Sequence, residues 1–151
     1  MKEKNKVKKG KLNRQNGAIF ESRVRKDLEA KDWIVSKWQN NVEWLEDNIN
    51  RPPEEREGKL VPAKNKFRGK NIPMQLGSGF PDFIAYKLEY HCDDFTEYEV
   101  IGVEVKTNGK LSKIEKEKCK WLLENNIFSN ILIAKKTKVK GRIVIEYKEF
   151  K

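Results

Sequence analysis

Three ionisable side chains carry the chemistry that this sequence offers: Asp82, directly after Pro81, and Glu104 and Lys106, two positions apart in the run EVIGVEVKT (99–107). Aspartate is a poor strand former, and the turn ahead of it is already supplied by Gly77, Ser78, Gly79 and Pro81. Asp82 nevertheless stands at the mouth of the apolar run FIAYKLEY (83–90). In an extended chain alternate side chains share a face. Ile101, Val103 and Val105 therefore point one way, into a core, while Glu104 and Lys106 share the opposite face. An acid and a base on a buried strand are costly unless they find partners. If 83–90 and 99–107 pair as a hairpin, Asp82 meets Glu104 across the ladder. Neighbouring carboxylates repel each other unless a cation lies between them. Hard oxygen ligands, with no cysteine or paired histidine among them, suit magnesium or manganese better than zinc.

These groups need elements to position them. Phe20, Val24 and Leu28 recur every fourth residue and predict a helix from about Gly17 to Lys31, with Asn16 as its N-cap and Glu21 beside the apolar stripe. WIVSKW (33–38) reads as a strand, and HCDDFTE (91–97) as the hairpin turn between the two strands already named. A second helix is expected from about Ser112 to Asn125, carrying Ile114, Trp121 and Leu122 on its apolar face with Cys119 close to it. ILIAKK (131–136) and RIVIEY (142–147) close the chain as strands. The order is α-β-β-β-α-β-β, an α/β class in which the second helix provides a crossover and a mixed central sheet is flanked by helices. Residues 39–76 are a long, polar, proline-bearing insertion in which Val42, Trp44 and Leu45 could seed a short helix. The expectation is one domain, 16–151, interrupted by that insertion.

Charge points to the partner. The 151 residues carry 33 Lys+Arg against 23 Asp+Glu, a formal net charge of +10. Residues 1–15 hold +6 of it and read as a basic, disordered tail. Lys64, Lys66, Arg68 and Lys70 surround Phe67 in the insertion, a mixture suited to phosphate pairing and base stacking. DNA is the expected partner. The two cysteines suggest no disulfide framework. Residues 1–15 lack the apolar segment of a signal peptide, and no run is long and apolar enough to span a membrane, so the expected setting is intracellular and cytoplasmic. No GxxxxGK phosphate loop is present, so no nucleotide cofactor is expected. The single histidine, His91, falls in the hairpin and offers little to a Ser-His or Cys-His hydrolase.

Pro81-Asp82 followed, at a separation of 22 residues, by Glu104-Val105-Lys106 resembles the PD-(D/E)xK nuclease superfamily, with its restriction-endonuclease-like core. NGAIFE (16–21) and GSGFPD (77–82) look like the corresponding stretches of archaeal Holliday-junction resolvases, and the helix after the Glu-x-Lys strand looks like that of virus-type replication-repair nucleases. The resemblance covers Gly17 to about Ala134. It implies a metal-dependent DNA endonuclease, with a resolvase of branched DNA as its sharpest version and a homodimer as its working form. It further implies that Asp82, Glu104 and the carbonyl of Val105 hold Mg2+ or Mn2+, with Glu21 reaching the ion directly or through water. Lys106 would orient or deprotonate the attacking water, Ser78 would bond a phosphate oxygen, and Lys118, with Glu115 as the alternative at that helix position, would contact the nucleophile or the DNA backbone. The alternative is a basic nucleic-acid-binding module with a nuclease-like fold and no cleavage.

Overall fold

Phe20, Val24 and Leu28 are all buried against a β-sheet, as one stripe of a helix must be when it supplies half of a core. The structure is a computed structural model that describes residues 2–45, 51–52, 56–64 and 79–151. In chain order its elements are α1 (Lys2–Glu29), β1 (Ile34–Lys37), β2 (Asn40–Trp44), β3 (Gly58–Pro62), β4 (Phe83–His91), β5 (Thr96–Val105), α2 (Lys113–Glu124), β6 (Asn130–Val139) and β7 (Arg142–Glu149).

Five strands form one mixed sheet in the order β1-β4-β5-β6-β7. β4 and β5 pair antiparallel through Phe83↔Val103, which brings Asp82 level with Glu104 at the end of the ladder. β5 and β6 run parallel through Val105↔Ala134, and α2 makes the crossover between them. The alternation expected of β5 holds. Ile101 and Val103 lie in the cluster under α1, together with Val35, Phe83, Ala85 and Ala134, and Val105 packs against it. The opposite face of the sheet packs on Cys119 and Leu122 of α2, with Phe128, Ile131 and Ile133.

Three expectations are corrected. First, α1 begins at Lys2 and not at about Gly17, so the helix takes in residues 2–15 of the basic segment. Lysine, glutamate, glutamine, arginine and leucine are good helix formers and no proline interrupts them, so the helix propagates from its packed half. Second, Val42 and Trp44 lie on a strand, not a helix. β2 and β3 form a separate antiparallel hairpin inside the insertion, and Val42, Trp44 and Leu60 join the apolar cluster beside α2. Alternation of Val42 and Trp44 is the strand period, and the pairing gives their side chains a common covered face. Third, Ile114 is 60% exposed, whereas Cys119 and Leu122 are buried. On an α-helix Ile114 sits about 140° around from Cys119, on the flank that looks away from the sheet. Among the described residues no helix is long and apolar enough to cross a membrane.

Candidate functional site

The turn that delivers Asp82 is fixed by two glycines. A Cβ at Gly79 would come within 2.4 Å of the Asn40 carbonyl and 2.5 Å of that of Trp38, so only glycine lets the turn lie against the β1–β2 connection. A Cβ at Gly102 would fall 2.8 Å from Pro81 Cγ. Pro81 therefore packs flat on β5, two residues before Glu104, and Asp82 is set down at that strand's end.

Asp82 and Glu104 then clasp each other's strands. The Asp82 N–H donates to Glu104 Oε2 at 3.1 Å, and the Val105 N–H donates to Asp82 Oδ2 at 2.9 Å. The Asp82 carbonyl accepts from the Trp38 N–H at 3.2 Å, which ties the residue to the end of β1 as well. Each acid thus spends one oxygen on main chain. Glu104, 4% exposed, gives its other oxygen to Lys106 Nζ at 3.0 Å.

Burial dominates the electrostatics. It pushes Glu104 up to about 7, helped by the Asp82 charge and opposed by Lys106. Burial also raises Asp82, against the Val105 N–H; Glu21 adds to the rise, while Lys37 and Lys106 oppose it. Two carboxylates that resist ionising side by side mark a site short of positive charge.

Lys106 is held twice, by Glu104 and, at 2.6 Å, by Glu115 Oε1 on α2. Burial works to lower its pKa, but the bonds to Glu115 and Glu104 prevail and hold it above the ordinary lysine value. Both bonds favour the protonated form of Lys106. The same Glu115 uses Oε2 to accept from the Ser112 N–H at 2.7 Å, completing a capping box in which the Glu115 N–H donates to Ser112 Oγ. Burial lowers the pKa of Lys118, whose Nζ donates to Asn41 Oδ1 at 2.6 Å and lies 5.7 Å from the Phe80 ring centre.

Of the residues singled out by sequence, the structure brings Asp82, Glu104, Val105 and Lys106 together. Glu21 stands at the margin, near enough for its charge to act on Asp82, with its carboxylate bonded to Lys37. Lys118 is on the same side as Glu115 and Glu104, whose charges it feels. Lys64 lies apart, 83% exposed and paired with Glu43 at 2.8 Å. Ser78, Lys66, Arg68 and Lys70 lie outside the described residues.

Sequence reasoning missed Lys37, Asn41 and the anchoring role of Glu115. Lys37 shares the α1-facing parity of Val35, and its Nζ sits 4.3 Å from the Phe83 ring centre. Ser112-x-x-Glu115 is a readable capping box, and it would have placed the Glu115 carboxylate at the helix start. Asn41 left no such signal, because nothing before the fold brings β2 against α2.

Among the described residues, no group of three or more His, Cys, Asp or Glu side chains is gathered for a metal ion. The donors that do converge, two carboxylates with raised pKa values, fit a cation that keeps several waters. Magnesium is characteristically held by one or two carboxylates together with water and phosphate oxygens. The chain matches no protein-family model, no curated protein and no solved structure.

Proposed function

We propose that this protein is a magnesium- or manganese-dependent DNA endonuclease built on a restriction-endonuclease-like core of the PD-(D/E)xK type. One observation carries the reading: the reciprocal clasp of Asp82 and Glu104, with a lysine cation 3.0 Å from the inner carboxylate. Holding two acids at one strand end costs stability unless a cation neutralises them. A net charge of +10 supplies the attraction to a polyanion.

In this reading Asp82, Glu104 and the carbonyl of Val105 would hold the ion, and Glu21 would reach it directly or through water. A bound divalent ion polarises the scissile phosphate and acidifies water. Lys106 supplies what the protein itself contributes, a preorganised positive charge beside the place where negative charge develops on phosphorus. Its two carboxylate partners hold its pKa above the ordinary lysine value, which favours charge stabilisation over removal of a proton from water. The β1 main chain and Gly102 keep Asp82 from drifting away from Glu104. The non-cleaving alternative has one observation on its side: Glu104, Lys106 and Glu115 already satisfy one another without an ion.

The test is cleavage of labelled linear and four-way DNA in Mg2+ or Mn2+ against EDTA, with Asp82→Asn and Glu104→Gln beside the parent. Cutting that requires the ion and both carboxylates supports the reading. A parent that cuts neither DNA, or substituted proteins that cut as well as the parent, would refute it. Preference for the four-way substrate, with a dimer in light scattering, selects the resolvase version.

A further inference from the structure

β5 stops at Val105, but its parallel neighbour does not. Val105 pairs with Ala134, the Lys106 N–H donates to the Ala134 carbonyl at 2.9 Å, and the Lys136 N–H reaches the Thr107 carbonyl at 3.3 Å. β6 then runs on to Val139 and returns as β7 through Val139↔Arg142. At roughly 3.3 Å per residue, the three residues after Lys136 carry this two-stranded ribbon about 10 Å past the last bond to the chain that follows β5. The turn is as short as a hairpin allows. Lys140 and Gly141 both have positive φ, 48° and 78°, as a two-residue turn that follows the right-handed twist of its strands requires.

The charge at the tip of this ribbon is of one sign. From Lys135 to Arg142 the sequence is KKTKVKGR, with five basic residues and no acid. Lys135 is paired with Glu146 at 2.7 Å. Lys136, Lys138, Lys140 and Arg142 are exposed, and none has a salt-bridge partner among the described residues. Lys136 and Lys138 share one face, because Thr137 separates them on a strand. At the foot of the ribbon a cleft of about 890 Å³ is bordered by Lys110, Lys116, Lys148 and Lys151, with Glu149 as its one acid. Unpaired cations held on a projecting β-ribbon suit the negative charge of a duplex, whose major groove accepts a two-stranded ribbon.

We infer that the β6–β7 ribbon is a DNA-binding arm that grips phosphates to one side of the Asp82–Glu104 site. The choice of DNA as occupant rests on the endonuclease reading; the charge, the projection and the turn do not.

The experiment uses the full chain in EDTA, so that binding is read without cutting. Affinity for a fluorescein-labelled DNA duplex is measured across a sodium chloride series for three proteins: the parent, Lys136→Gln/Lys138→Gln/Arg142→Gln, and Lys136→Arg/Lys138→Arg. Each phosphate contact contributes about 0.9 to the magnitude of the log–log salt slope. The glutamine variant should therefore lose up to about 2.7 of that slope, whereas the arginine variant keeps the parent's. A glutamine variant with the parent's slope overturns the inference, as does a parent that binds no DNA. Equal loss in the arginine variant also overturns it, because charge would then not be the agent. If the glutamine variant changes only the molar mass in light scattering, the ribbon seats a second copy of the chain and the inference falls. If the parent binds but does not cut in Mg2+ while the glutamine variant loses slope, the endonuclease reading fails and the arm stands.

Discussion

Glu104 and Glu21 both face a lysine, but they do so from opposite sides of the sheet and under different conditions. Glu104 looks toward α2, with its side chain 6% exposed; Glu21 rides on α1 with 33% of its side chain in solvent. Water shares the charge of Glu21 with Lys37, so that pair costs little and contributes little. Glu104 has almost no water. Its charge must be met by the protein or by an ion, and Asp82 beside it adds repulsion. On the endonuclease reading, only the buried acid would trade a proton for a metal. The solvated one can support a site and cannot define it.

The sharpest way to break this comparison is to neutralise each acid in turn. Glu104→Gln should lower cleavage by at least about a hundredfold, the scale seen when a preorganised charge is removed from a reaction centre. Glu21→Gln should cost no more than about fivefold, the scale of a partly exposed pair. Single-turnover rates in saturating Mg2+ measure both. An equal loss would mean that Glu21 is a full ligand and that its bond to Lys37 is surrendered when the ion arrives.

Proton linkage gives the next effect. Glu104 binds its proton more tightly in the folded chain, near pH 7, than its ordinary 4.5. Between those values the native state holds the extra proton, so stability without metal should fall as pH rises from about 4.5 to 7 and then level off. Thermal unfolding in EDTA across that range reads the decline, and Glu104→Gln should flatten it. Added Mg2+ should raise the melting temperature more at pH 8 than at pH 6, because protons compete with the ion for its ligands. A Mg2+ response independent of pH would separate the ion from Glu104.

A smaller effect belongs to the turn. Gly102→Ala forces a methyl group toward Pro81 and should cost about 1–3 kcal/mol in denaturant unfolding. Cleavage should fall with it, as Asp82 is pushed from Glu104, while the salt dependence of DNA binding stays at the parent's value. An unchanged cleavage rate would show that the clasp tolerates a displaced Pro81.

What could be read in advance followed from local periodicity. Alternation in 99–107 separated Glu104 and Lys106 from the apolar residues, and the stripe on 20–28 placed Glu21 beside the core. The mixed α/β sheet and both helices followed from the same patterns. The insertion did not, because Val42 and Trp44 are too few to distinguish a strand from a helix until β3 arrives to pair with them. Asn41 against Lys118 and Lys37 against Glu21 were invisible because they join elements far apart in the chain. The start of α1 was misjudged because charge density outweighed helix propensity in a segment that has both. The ribbon was visible as two strands, but its reach is set by where β5 ends, and strand ends are poorly marked in sequence.

Glu115 closes two circuits with one carboxylate: Oε2 stops the first turn of α2 from fraying, and Oε1 anchors Lys106. The orientation of the lysine and the integrity of that helical turn are therefore one equilibrium. Helix ends open more readily than the sheet beneath them. When this end opens, the ammonium group loses its second tether while the strand that carries it stays in place. Warming the protein should therefore loosen the hold on Lys106 through a single helical turn before the core melts, and on the endonuclease reading cleavage should fade at a lower temperature than the one at which the fold is lost.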